Sequence, residues 1–306
     1  MNYVFIHGVN QHPAVEDLDR DWCLWASAGS GRPIRTDDTE WVYYSDHFFG
    51  ASEPRSGDGS SLEVRFGAHG PDDAVIPMPS PQDEVAVNAL VEAHLDELER
   101  HPEYEAELAL ARDLEAAGLD AEPLISDTRL GRLIIKKVFR QVYLYIENKD
   151  FTSKVDGDRA AYGDFVRDMA VGTIAAAAAD GPVTVVGHSK GSVVAYDAIR
   201  SLGPGVAVDH LVTIGSPLGI DYIFNGLDID ADTAVPDGLR RWTNVRDGRD
   251  PVVFGQRVRD KYLRAGQAFV EEFDVDNGFG LSNRHKAQRY LEQPVMQSVL
   301  RAAPTG

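Results

Sequence analysis

The five residues Gly187-His188-Ser189-Lys190-Gly191 constrain this chain more than any other stretch. Before them runs Pro182-Val183-Thr184-Val185-Val186, a short and mostly β-branched segment that predicts a buried strand. After them, Ser192-Val193-Val194-Ala195-Tyr196-Asp197-Ala198-Ile199-Arg200 predicts an amphipathic helix. A Gly-x-Ser-x-Gly between a strand and a helix marks a sharp turn that exposes a serine hydroxyl at the top of a sheet. The two glycines have a steric task, because the neighbours of such a turn must pack without Cβ atoms. The helix N-terminus beneath Ser189 favours negative charge developing there. Ser189 is therefore the candidate nucleophile.

Strands and helices alternate around that turn. Strands are expected at residues 3–6, 41–45, 182–186, 210–214, 241–245 and 267–273, and helices at 15–28, 159–179, 192–200 and 286–301. Residues 50–81 are rich in Gly, Pro, Ser and Asp and predict a long loop with a short strand at 62–66. Residues 82–148 carry a helical pattern in two or three segments, interrupted near Pro102 and between Gly118 and Pro123. Alternation of this kind predicts an α/β fold, with a mostly parallel central sheet and helices on both faces. There is no internal repeat. At 306 residues and 43% hydrophobic, the chain can bury a core as one large domain or as a core with an insertion.

The net charge of −19 argues against nucleic acid as a partner, since a phosphate backbone would be repelled. The single cysteine, Cys23, excludes an intrachain disulfide and fits a reducing compartment. No stretch approaches the ~18 apolar residues of a membrane span. Met1-Asn2-Tyr3-Val4-Phe5-Ile6 reads as a strand and not as a basic segment leading into an apolar one, so the expectation is a cytoplasmic protein. No His-x-x-x-His, cysteine pair or phosphate-binding glycine loop occurs, and neither a metal nor a cofactor is expected.

In Phe5-Ile6-His7-Gly8-Val9, Val186-Gly187-His188-Ser189-Lys190-Gly191, Gly215-Ser216-Pro217 and Asn244-Val245-Arg246-Asp247-Gly248-Arg249-Asp250-Pro251-Val252, the chain resembles the α/β-hydrolase superfamily in its lipase and esterase branch. The resemblance covers residues 1–48 and 155–306, which it makes the α/β-hydrolase core. It leaves 50–150 as a mostly helical cap or lid insertion. The family orders its triad as serine, acid, histidine, and implies Ser189 as nucleophile, Asp250 as acid and His285 as base. Asp247 in the same loop and Asp221 after the preceding strand remain alternatives for the acid, with a solvated turn as the ordinary reading of Asp247. His7 and His188 would support the loops of the site. His47, His69, His94 and His101 precede the serine, and His12 follows the loop after the first strand. His210 would begin a strand at the far edge of the sheet. By family position the oxyanion donors would be the backbone N–H groups of Val9 and Lys190. A lysine at 190 departs from the usual Leu, Met, Gln or Tyr; only its backbone is needed, and its side chain could bring a cation to the site mouth.

The resemblance implies a serine esterase or lipase, acting on small-molecule or lipid esters through an acyl-enzyme. Amide and thioester substrates share the chemistry, and an inactive scaffold with the same fold is the alternative of a different class. Phe48, Phe49, Tyr222, Phe224 and Phe254 would suit an apolar pocket mouth or, equally, a core. On a helical projection of residues 129–147, Leu130, Ile134, Val138, Val142 and Tyr145 share one face, and Arg129, Arg132, Lys136 and Arg140 share another, with Lys137 off the stripe. The ordinary reading of that basic edge is a solvated or ion-paired helix face. The functional one is a lid that steers an anionic lipid and touches a membrane surface peripherally.

Overall fold

The computed structural model describes residues 2–9, 13–50, 78–100, 128–229, 234–253, 257–278 and 284–300, with side chains in the 128–146 helix described from 134 onward. Strands in chain order are β1 (Asn2–Ile6), β2 (Thr39–Val42), β3 (Asp150–Thr152), β4 (Arg159–Ala161), β5 (Val183–His188), β6 (His210–Ile214), β7 (Trp242–Asp247), β8 (Leu263–Arg264), β9 (Gln267–Ala268) and β10 (Glu271–Val275). Helices are α1 (Val15–Ser30), α2 (Ser45–Phe49), α3 (Pro81–Glu99), α4 (Thr128–Ile146), α5 (Tyr162–Ala179), α6 (Lys190–Arg200), α7 (Asp221–Gly226), α8 (Ala287–Leu291) and α9 (Met296–Val299). The expected strand at 62–66, together with His12, His69, His101 and Phe254, lies outside the described residues.

Six strands form one sheet in the order β10-β7-β6-β5-β1-β2, every neighbouring pair parallel. The chain leaves β1 for β2 on one side, then returns to β5 on the other and continues outward through β6, β7 and β10. The order reverses between β1 and β5, the position beside which ligands commonly bind in open α/β sheets. The loops at their carboxyl ends are His7-Gly8-Val9 and the turn at Ser189.

Alternate strand residues feed two apolar clusters, as a sheet covered on both faces requires. Val4, Ile6, Val183, Val185 and Leu211 pack with α3, α4, α5 and α6, while Tyr3, Phe5, Val186, Val212 and Ile214 pack with α1, α8 and α9. Helix α4 buries Ile134, Ile135, Val138, Phe139, Val142 and Tyr145 in the first cluster, so the described part of the 50–150 segment shares the core of the sheet layer. Helix α3 starts where Pro81 follows Ser80, whose hydroxyl accepts from the Asp83 N–H at 3.2 Å.

Four expectations need correction. Residues 159–161 do not begin the helix that follows; they pair antiparallel with 150–152, a partner brought in by the turn between them. Residues 267–268 form a small hairpin with 263–264, and a separate strand, β10, joins the main sheet. The C-terminal helix is two short ones, because Pro294 lacks the N–H that would continue α8. His210 starts an interior strand and not an edge one, since β7 and β10 extend the sheet beyond it.

His210 is buried with its Nε2 2.8 Å from the Thr243 hydroxyl. Burial, then the nearby Arg241 charge, lower its pKa from 6.5 to about 3. The unfolded chain takes up this proton below 6.5 while the folded chain refuses it, so stability falls as pH drops toward 3. The slope for one such group is about 1.4 kcal/mol per pH unit. Unfolding free energy measured by urea titration from neutral pH to about pH 4.5 should fall less steeply in His210→Gln than in wild type. Equal slopes would contradict this account.

Candidate active site

Ser189 has φ 53° and ψ −128°, a backbone conformation that a residue with a Cβ adopts at a cost of about 1–3 kcal/mol. Close packing on both sides holds it there. A Cβ on Gly191 would fall into the Ile6 carbonyl and lie 2.5 Å from the His7 carbonyl oxygen, and one on Gly187 would lie 2.7 Å from the Gly191 carbonyl oxygen. The N-terminus of α6 is thus seated directly on the end of β1, with Ser189 itself fully buried.

His285 approaches from the loop after β10. Its Nε2 lies 2.8 Å from Ser189 Oγ, and its Nδ1 lies 2.7 Å from Asp250 Oδ2. Asp250 is fully buried in the turn that leaves β7. Its Oδ1 accepts the Val252 N–H at 2.9 Å, and its Oδ2 also accepts the Tyr290 hydroxyl at 2.7 Å. Burial, then the Asp250 carboxylate, push the Tyr290 phenol well above its ordinary range, so it remains the donor. One continuous hydrogen-bonded chain therefore runs Ser189–His285–Asp250–Tyr290. In that geometry the carboxylate fixes the Nδ1–H tautomer and leaves Nε2 free to accept the serine proton.

The two alternative acids sit elsewhere. The Asp221 carboxylate is largely exposed and pairs with Lys261. Asp247 is not a solvated turn residue, because its side chain is 1% exposed. Its Oδ2 meets Arg284 Nη1 at 2.7 Å and the Asn277 N–H at 2.9 Å, and its Oδ1 takes the Arg249 N–H at 2.9 Å. Arg284 immediately precedes His285, and its carbonyl accepts from Asn277 Nδ2 at 2.7 Å. The Asp247–Arg284 pair therefore anchors the loop that delivers the imidazole.

The other described histidines support this arrangement or stand apart from it. His188 Nε2 donates to the His285 carbonyl at 2.8 Å. His7 Nε2 accepts the Tyr44 N–H at 3.2 Å. His94, on α3, donates from Nε2 to the Pro251 carbonyl at 2.7 Å, tying that helix to the acid turn. His47 pairs with the Ser153 hydroxyl at 3.0 Å. Tyr290, Arg284, Asn277 and His94 carry no local sequence signal for these roles, since each acts across a long chain separation.

The Lys190 side chain does not reach the site mouth. It is fully buried, and burial pushes its ammonium well below the ordinary lysine range. On α4, Lys136 and Arg140 both pair with Glu84, at 2.9 and 2.7 Å, which takes those two cations out of the expected steering stripe. Phe48 is buried in the core, and Phe49, Tyr222 and Phe224 pack against it. Among the described residues no group of three or more His, Cys, Asp or Glu could hold a metal ion, and no helix is long and apolar enough to cross a membrane. No protein-family model matches the chain, and no match is found among curated proteins or solved structures.

Arg284→Met leaves the Asp247 carboxylate buried without its charge partner. The expected loss of unfolding free energy is about 3–5 kcal/mol, with most of it restored in Asp247→Asn/Arg284→Met. Urea denaturation checks this, and a loss under about 1 kcal/mol in the single variant would refute the anchoring role.

Proposed function

We propose that this protein is a serine hydrolase of the α/β-hydrolase type that cleaves carboxylic esters. The observation that carries the reading is the Ser189–His285–Asp250 chain, with contacts of 2.8 and 2.7 Å at a strained, helix-backed serine. An unassisted serine hydroxyl is a weak nucleophile, and a base within hydrogen-bonding reach is what activates it. The parallel six-stranded sheet with helices on both faces is compatible with this fold type.

In this reading His285 Nε2 takes the Ser189 proton as Oγ attacks the ester carbonyl carbon. The carbonyl π electrons move onto oxygen, giving a tetrahedral oxyanion. The N–H groups of Lys190 and Val9 stabilise that charge. Lys190 is the first residue of α6, whose leading N–H groups have no partner within the helix. The Val9 loop lies close by, since a Cβ on Gly8 would stand 3.1 Å from Ser189 Cβ. As the intermediate collapses, the bond to the alcohol oxygen breaks and imidazolium returns the proton to that oxygen. Water, deprotonated by the same imidazole, then hydrolyses the acyl-serine. Asp250 keeps its charge throughout and steadies the imidazolium. Lys136 and Arg140 on α4 are taken up by Glu84, while the side chains of Arg129 and Arg132 lie outside the described residues, so the acyl chain and leaving alcohol define the substrate question.

The test is turnover of short p-nitrophenyl esters. Ser189→Ala should abolish it, and Asp250→Asn should lower kcat by about 10⁴-fold, the cost of the wrong imidazole tautomer. Near-wild-type turnover by Asp250→Asn would contradict the assignment. Comparing acyl chains of increasing length then separates an esterase from a lipase.

A further inference from the structure

Lys190 is an expensive residue where it stands. Its nitrogen donates to the Tyr162 hydroxyl at 2.7 Å and to Gln141 Oε1 at 3.3 Å. It also sits 3.9 Å from the centre of the Tyr44 ring, 5.0 Å from that of Tyr162 and 6.0 Å from that of Phe48. Among the described residues no carboxylate lies within ion-pair distance of it. A buried amine with hydrogen bonds but no carboxylate partner still costs stability that an apolar side chain of equal length would not. The turn at Ser189 needs only the backbone of residue 190. The side chain therefore calls for an explanation other than the turn and the core.

Its neighbours supply one. The Tyr44 hydroxyl donates to the His7 carbonyl and lies 3.3 Å from the Gly8 carbonyl, and the Tyr44 N–H donates to the His7 ring. Tyr44 is thus bonded three times to the loop that carries the Val9 N–H. Tyr162 starts α5 and Gln141 lies on α4, and the Tyr162 hydroxyl also reaches Gln141 Oε1 at 3.4 Å. The nitrogen of Lys190 meets all three residues, while the backbone of Lys190 carries the other oxyanion donor.

We propose that the Lys190 side chain is a positioning residue that holds the two oxyanion donors in register, by bridging the serine turn to Tyr44 with Tyr162 and Gln141 fixing its nitrogen. This rests on the hydrolase reading above and adds to it. The donors must aim at an oxygen that carries full charge only after attack, so a small drift between the turn and the His7-Gly8-Val9 loop weakens the tetrahedral state more than substrate binding. The amine acts through these backbones and does not touch the reacting atoms.

The experiment compares wild type with Lys190→Met, which keeps the stem and removes the nitrogen, and with Tyr162→Phe, which removes one of the two hydrogen-bond partners of that nitrogen. Three quantities are read: kcat and KM on p-nitrophenyl acetate, the inhibition constant of a trifluoromethyl ketone whose serine adduct is a tetrahedral oxyanion, and the thermal midpoint. In Lys190→Met kcat should fall about 10–100-fold with KM within about twofold, and the ketone should weaken by a similar factor. The thermal midpoint should hold or rise, since a buried amine without a carboxylate partner has been removed. Tyr162→Phe should move kcat and ketone affinity in the same direction by a smaller factor, and it carries the test if Lys190→Met does not fold. Unchanged kcat and ketone affinity in the folded variants of an active wild type would overturn the role of Lys190 alone. A wild type that neither turns over the ester nor binds the ketone would overturn the hydrolase reading, and this inference with it.

Discussion

The rest of the site depends on one close approach, the seating of the α6 N-terminus against the carbonyl end of β1. Gly191 permits it, because a methyl group there would collide with the Ile6 carbonyl. Ser189 is the residue left to absorb the geometry, with a positive φ that its surroundings over-determine. The approach occurs where the strand order reverses, so it brings two loops travelling in opposite directions to one place. A hydroxyl, a helix N-terminus and the Gly8 backbone meet there for topological reasons before any chemistry is considered.

Around that point the protein spends buried polar groups freely, and their arrangement has a common purpose. His285 is steadied by His188 on its own carbonyl, by Asp250 on its ring, and through its neighbour Arg284 by Asp247. The acid turn is held in turn by Tyr290 from α8 and by His94 from α3. Elements from both faces of the sheet therefore converge on one imidazole. Buried ion pairs of this kind give little net stability against an apolar replacement, yet losing one partner is costly, and that makes them effective at fixing a loop in one place. Lys190 follows the same logic with a neutral-polar cage in place of a carboxylate.

What the sequence made legible was whatever a few adjacent residues could dictate. The strand, turn and helix about Ser189 followed from two glycines and a β-branched run, and His210–Ile214 appears with the bounds expected for it. Asp247 ends β7 and Asp250 lies three residues on, in the turn that follows, and only the fold distinguishes the carboxylate facing His285 from the one facing Arg284. The direction of the Lys190 side chain was equally hidden, since it is set by Tyr44, Gln141 and Tyr162, residues far away along the chain. The strand at 159–161 sits in a helical sequence pattern, and its pairing partner comes from outside that window. The break at Pro294 was legible in principle, and the helical pattern on either side obscured it.

The claim at the centre is that His285 makes the buried Ser189 hydroxyl a nucleophile. The most direct measurement is peptide mapping by mass spectrometry after exposure to a fluorophosphonate. A single adduct is expected on the peptide containing Ser189 in wild type and none in His285→Ala. An unmodified wild-type protein, or an adduct on another residue with Ser189 untouched, would contradict it.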